Sequence, residues 1–231
     1  TLLNALAFFI PPSSRVVSIE DTRELNLPRE NWLPSVVRQA TGLSSGGEID
    51  LFNLLKSSFR QNPDYVIVGE VRGKEAFVLF QGMASGHSSI STIHADSVDT
   101  VIKRLQTPPI ELPPTLLNTL DCLCIMTHAR VNKEDTRRLK EIVEITNINS
   151  DGSAVTNTPF VWDPYEDEFY FKQNSQIFQK ISKKSGVNIQ ELNNEFRRRV
   201  HLLFKLFQDK MFDYKKFQSI VNEYYKQPEK I

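Results

Sequence analysis

The chain reads as an α/β fold built on a mainly parallel sheet, and three features of the sequence carry that reading. Short apolar strand segments alternate with segments of helical periodicity through the first two thirds of the chain. Two strand segments, Arg15-Val16-Val17-Ser18-Ile19 and Tyr65-Val66-Ile67-Val68, run directly into carboxylates, Glu20-Asp21 and Glu70. Ligands of open α/β sheets bind outside the carboxyl ends of strands, where these acids fall. From residue 175 onward the pattern is helical only, so a helical subdomain follows the sheet.

Taken in order, residues 2–9 make a first helical segment, closed by Pro11-Pro12. Residues 15–19 form a short buried strand. Ile49, Phe52, Leu55 and Phe59 recur at helical spacing within residues 48–60, after Gly46-Gly47, and lead into the strand at 65–68. Residues 74–84 form the next helix, with Gly86 supplying the positive-φ stop, and residues 88–93 alternate as a strand. Asp96 or Ser97 caps a helix running through Leu105, broken by Pro108-Pro109 and Pro113-Pro114. A strand at 122–128 follows. Charged and apolar residues alternate over 138–148, a turn falls at 149–152, and 158–162 with 169–171 complete an antiparallel hairpin region around Asp163-Pro164. Helices are expected at 177–184, at 189–210 after the Asn188-x-x-Glu191 cap, and at 214–225. The corresponding division is 1–149 for the α/β core, 150–174 for a hairpin and linker region, and 175–231 for the helical subdomain.

The 231 residues can hold one sizeable core with an appendage, and 40% hydrophobic with 24% charged is ordinary for a folded globular chain. Basic and acidic residues number 28 each, so there is no overall positive field of the kind that steers nucleic acid, although a local patch is open. No apolar stretch approaches the ~20 residues of a membrane helix and no signal peptide opens the chain, which points to a cytoplasmic protein. Cys122 and Cys124 fall on one strand face; their spacing suits a disulfide poorly and no second pair completes a metal site, so both are assigned to the core. Arg197-Arg198-Arg199 lies on a helix with Phe196, Val200, Leu203 and Phe204, read as a solvated face or a docking surface for an acidic partner or membrane.

Four motifs in order, Ile19-Glu20-Asp21-Thr22-Arg23-Glu24, Arg60-Gln61-Asn62-Pro63-Asp64, Val68-Gly69-Glu70-Val71-Arg72 and Gly86-His87 with Thr92-Ile93-His94-Ala95, resemble the secretion ATPase superfamily that drives type II secretion, type IV pili and the archaellum. Asn31-Trp32, Trp162-Asp163-Pro164 and the helical tail resemble its archaeal branch. The resemblance implies a RecA-like P-loop NTPase core that uses ATP and Mg²⁺. It makes residues 2–9 the helix after a Gly-x4-Gly-Lys-Ser/Thr loop, with Thr1 among the cofactor-binding residues just beyond that loop's hydroxyl residue. The chain as given lacks the loop, so weak or no hydrolysis is expected of it alone.

By the same resemblance Glu20 orients or deprotonates the attacking water, and Asp21 supports Mg²⁺. Glu70 occupies the Walker B position, as metal ligand or as base, with Gly69 where many phosphate-loop ATPases place an Asp; the division of labour between Glu20 and Glu70 is open. His94 senses the γ-phosphate, His87 belongs to the same box, and Arg23, Arg60 and Arg72 are phosphate clamps, one or more acting across a subunit boundary. The alternatives are that the acids cap a loop, the histidines are structural and the arginines pair with nearby acids. The resemblance further implies a homo-hexamer acting on a polytopic membrane platform protein, peripheral to the cytoplasmic membrane face and without nucleic acid. A non-catalytic assembly subunit of the same fold is the alternative, and a DNA-translocating motor is disfavoured by the zero net charge.

Overall fold

In parallel sheets both faces are covered, so central strands read as unbroken apolar runs. The computed structural model, which describes residues 2–39, 47–131, 133–172 and 174–228, shows this in its first unit, residues 1–93 with 195–231; residues 94–194 form a second unit. The first unit begins with α1 (Leu2–Ala7), β1 (Val16–Glu20), β2 (Trp32–Val36), α2 (Leu51–Ser58), β3 (Tyr65–Val68), α3 (Glu75–Ala84) and β4 (Ser88–Ser91). All four strands are parallel, in the order β2-β1-β3-β4. β1 is buried at every position and β3 at three of four. β2, which the sequence pattern does not reveal, carries Pro34; an edge strand tolerates the missing N–H.

Helices cover this sheet for local reasons. Asp50 caps α2 by accepting from the Asn53 amide at 2.8 Å, so the helix starts at Leu51, while Gly46 lies outside the described residues. α3 buries Ala76, Val78, Leu79, Phe80 and Gly82 and ends before Gly86, whose φ of 93° matches the expected stop. The phenyl ring of Phe59 lies across Gly82, where an added Cβ would come within 2.1 Å of it. On the α1 side, Leu3, Ala7 and Ile10 pack with Val16, Leu25, Leu27 and Ile67.

The second unit holds α4 (Val98–Gln106), capped by Ser97, and α5 (Pro114–Leu117). Its sheet runs β5 (Cys122–Val131), β6 (Glu134–Ile148), β7 (Ala154–Asp163) and β8 (Glu168–Phe171), each strand antiparallel to the next. The strand expected at 122–128 therefore belongs to this meander and not to the parallel sheet. Cys122 and Cys124 do share a face of β5, but it is the exposed one; Ile125, one step out of phase, is buried, which corrects their assignment to the core. The boundaries drawn at 149 and 174 from sequence fall inside this unit.

α6 (Gln176–Ser185) is tied to β6 through Glu144, which is 2% exposed. Its carboxylate accepts from the Ser175 hydroxyl, from the Gln176 amide at 2.7 Å and from Asn157 Nδ2 at 2.8 Å, placing negative charge at a helix N-terminus. Across the β7–β8 turn, Arg138 forks onto Asp167 at 2.8 and 2.9 Å while Trp162 Nε1 donates to the same carboxylate at 2.8 Å.

α7 (Ile189–Gln208) and α8 (Tyr214–Lys226) complete the chain. From Glu195 onward they return to the first unit, where Tyr224 donates to Glu195 at 3.0 Å. Glu195 also pairs with Arg198 at 2.8 Å and Arg199 at 2.7 Å, so two of the three consecutive arginines are engaged internally. α8 closes on the end of α1: Gln218 donates to the Phe8 carbonyl at 3.1 Å and Tyr225 to that of Phe9 at 2.5 Å, with the Phe217 ring edge-on to both phenylalanines. Arg29 adds a bond to the Pro11 carbonyl at 2.5 Å. Carbonyls of the turn that follows α1 thus find tertiary donors, while those of Ala5, Leu6 and Ala7 accept the local amides of Phe8, Phe9 and Ile10.

Two measurements check this description. Gly82→Ala should destabilise the protein by about 1–3 kcal/mol in urea unfolding, because the new methyl overlaps the Phe59 ring. Arg138 and Trp162 hold the Asp167 carboxyl down from 3.8 to about 2. Because the folded value lies below the unfolded one, the ion pair contributes fully above pH 3.8 and is lost as pH falls through about 2. A ¹³C carboxyl titration of Asp167 should show that low midpoint, and one near 3.8 contradicts the pair.

Candidate functional site

The parallel register places Ile19 opposite Val68, so the next residues, Glu20 and Gly69, leave the sheet side by side at its carboxyl edge. The Gly69 amide donates to the Ile19 carbonyl at 2.9 Å, extending the ladder past the last strand residues. Thr92, beyond β4, donates its hydroxyl to the Gly69 carbonyl at 2.5 Å and accepts the Val71 amide at 2.9 Å. Three strand ends are stitched together here by backbone groups.

Arg72 joins the carboxylates of two of them. Its Nη2 donates to Glu70 Oε2 at 2.5 Å and its Nη1 lies 3.6 Å from Asp21 Oδ2, so both acids sit within the span of one guanidinium. The Glu70 hydrogen bond and charge push the Arg72 pKa up, with Asp21 contributing less. The Arg72 side chain is 64% exposed, so this pairing is solvent-screened and open to exchange. Glu75 aims it: its Oε1 accepts the Arg72 amide at 2.6 Å and the Gly73 amide at 2.7 Å, folding the turn between β3 and α3. Sequence reasoning missed Glu75; its signal was an acid opening a helix just after a glycine.

Glu20 is placed differently from its neighbours. It is 3% exposed, its Oε1 accepts the Glu24 and Leu25 amides at 3.0 Å each, and its buried Oε2 has no hydrogen-bond partner among the described residues. Space for the side chain comes from Gly69, where an added Cβ would lie 3.1 Å from Glu20 Cγ. Sequence spacing could not reveal that contact, because the two residues are neighbours only across the sheet.

The remaining candidates divide between the two edges of the sheet. Arg23 is exposed and stacks its guanidinium 4.9 Å over the Trp32 ring. Arg60 is exposed in the 3-10 turn at Phe59–Gln61, on the approach to β3 and so at the amino edge, away from Glu70. His87 also lies at the amino edge, immediately before β4; its Nδ1 is 3.3 Å from the Gly82 carbonyl and its ring packs on Phe59. His87 therefore lies at the opposite edge of the sheet from Asp21 and Glu70. His94 is exposed and opens the second unit. Thr1 lies outside the described residues.

Asp21 also faces an open cleft of about 620 Å³, lined as well by Arg38, Glu48, Asp50, Lys74 and Glu75. Among the described residues no three His, Cys, Asp or Glu side chains cluster as a metal cage. Asp21 and Glu70 offer instead the sparse carboxylate set that suits Mg²⁺, an ion that keeps waters and takes further oxygens from phosphates. None of the helices in the described residues is long and apolar enough to cross a membrane.

Known proteins share much of this sequence. A family model described as type II/IV secretion system protein matches residues 1–119, and one described as PilB3-like, C-terminal matches residues 166–231. The chain is 38% identical over 229 residues to the uncharacterized protein MJ1287 of Methanocaldococcus jannaschii, covering 95% of this chain and 84% of that protein. It is 34% identical over 154 residues to the type IV secretion system protein PtlH of Bordetella pertussis, covering 62% of this chain and 45% of PtlH. Among solved structures, the VirB11 ATPase of the Brucella suis type IV secretion system, in complex with sulphate, is 28% identical with a TM-score of 0.49, covering 61% of this chain and 43% of that one. The chain thus spans less than half the length of PtlH and of the VirB11 chain.

Proposed function

The chain belongs to the type II/IV secretion system protein family, and from that membership we propose that the full-length protein is an ATP-hydrolysing motor of a secretion, type IV pilus or archaellum machine. The observation that carries the proposal is the pair Asp21 and Glu70 on neighbouring parallel strand ends, held by one exposed arginine. Phosphoryl transfer asks a protein mainly for positioned charge: carboxylates to hold a metal and orient water, and cations to take up charge on the phosphate oxygens. The carboxyl edge supplies both. A bound Mg²⁺ would supply positive charge against the charge that develops on the phosphate oxygens. Asp21 and Glu70 are the residues that would hold it, and Glu70 in this reading also orients the attacking water.

In this reading Arg72 exchanges its carboxylate partners for phosphate oxygens when nucleotide arrives, since the guanidinium keeps its charge and can fork onto either. Arg23 lies on the same edge and contributes to phosphate binding from its stack on Trp32. Arg60, on the opposite edge, serves the site of a neighbouring subunit in a homo-hexameric ring, a head-to-tail arrangement that closes. His94 reports the state of the γ-phosphate. The ring acts on a membrane-embedded platform protein from the cytoplasmic face, and turnover in it drives that platform.

Glu70→Gln in the full-length protein should lower kcat by at least ~100-fold while nucleotide binding is retained, as expected when a water-orienting or basic carboxylate is replaced by its neutral isostere. Steady-state ATPase assays beside a fluorescent-nucleotide titration check this, and unchanged turnover removes Glu70 from the mechanism.

A further inference from the structure

We propose that Glu20 is a positioning residue, not the group that meets water or metal, and that Gly69 is the residue that lets it act; this rests on the ATPase reading above. The two sites divide as follows. Glu70 and Asp21 present their carboxylates to an exposed arginine, where an incoming phosphate or ion can displace it. Glu20 is 3% exposed and turns back beneath its own loop. Its Oε1 accepts both the Glu24 and Leu25 amides at 3.0 Å, closing a ring around Asp21, Thr22 and Arg23. Asp21 faces Arg72 and Arg23 stacks on Trp32 from within that ring, so the carboxylate sets where both project.

Gly69 completes the device. An added Cβ would sit 3.1 Å from Glu20 Cγ and 3.5 Å from its Cβ, so the volume a side chain at 69 would occupy is filled by Glu20 instead. Glycine at the end of β3 and glutamate at the end of β1 are therefore one feature. Any larger residue at 69 pushes on a side chain that two amides hold in place, and the shift passes to Asp21 and Arg23. Both anchoring bonds end on Oε1, a single oxygen, which a glutamine can reproduce.

The test compares Glu20→Gln, Glu20→Ala, Gly69→Ala and Glu70→Gln in the full-length protein, by ATPase kinetics and by hydrogen exchange over the segment 21–25. Glutamine keeps the accepting oxygen, so Glu20→Gln should retain amide protection and lose less than about 10-fold in kcat, whereas loss of a base costs about 10²–10⁴-fold. Glu20→Ala and Gly69→Ala should both speed exchange over 21–25 and lower kcat by more than Glu20→Gln, up to about 100-fold, as a misplaced site does. Glu20→Gln as inactive as Glu70→Gln, with nucleotide still bound, overturns the positioning role and makes Glu20 a reacting group. Exchange unchanged in Glu20→Ala overturns the anchor, and exchange unchanged in Gly69→Ala overturns the part given to Gly69. Absence of hydrolysis by the wild-type protein defeats the ATPase reading alone, since the exchange comparison still decides whether Glu20 holds the loop.

Discussion

Register between two parallel strands governs the site. With Ile19 level with Val68, the chain leaves both strands at the same height, and the residues that follow share one edge. Backbone bonds from Gly69 to Ile19 and from Val71 to Thr92, with the Thr92 hydroxyl on the Gly69 carbonyl, carry that edge past the sheet proper. A slip of one residue would turn Glu20 to the other face of the sheet and lift Asp21 away from Arg72. The apolar run of β1 and β3, buried on both faces, is what forbids such a slip.

On this frame two kinds of carboxylate coexist. Asp21 and Glu70 face outward to a cation that solvent can reach, while Glu20 is buried and faces the Glu24 and Leu25 amides. Burying a carboxylate is costly unless hydrogen bonds offset it, and among the described residues those of Glu20 fall on Oε1. Its two bonds to the loop amides fit a role in holding the loop. Glu144 follows the same logic in the second unit, where a buried carboxylate gathers the start of α6 onto β6 with bonds to both oxygens.

The last helices are part of the first unit's construction and not an appendage to it. α8 supplies donors to the Phe8 and Phe9 carbonyls and a ring to their side chains, and α7 is joined to α8 through Glu195 and Tyr224. α1 packs Leu3 and Ala7 into the apolar cluster of the sheet. Its position against the sheet depends on these distant contacts together with the apolar cluster around Val16 and Ile67.

Local chemistry made much of this legible from the sequence. Apolar runs ending in acids located β1, β3 and the carboxyl edge, and periodicity with its caps located α2, α3, α4 and the three final helices, because these signals act within a few residues. The same local signals were blind to neighbours across the sheet. β2 was missed because Pro34 is foreign to a strand until the strand is known to be an edge, and the cysteines of β5 were given the wrong face because alternation pairs residues without saying which side is covered. His87 was grouped with His94 by motif, though a residue before a parallel strand lies at the opposite edge from one after it. Residue identity and spacing determined which groups could carry charge and where each element would begin; only tertiary packing decided that Glu20 turns inward over Gly69 while Glu70 stays with Arg72, since burial and partners belong to the folded chain and not to any segment of it.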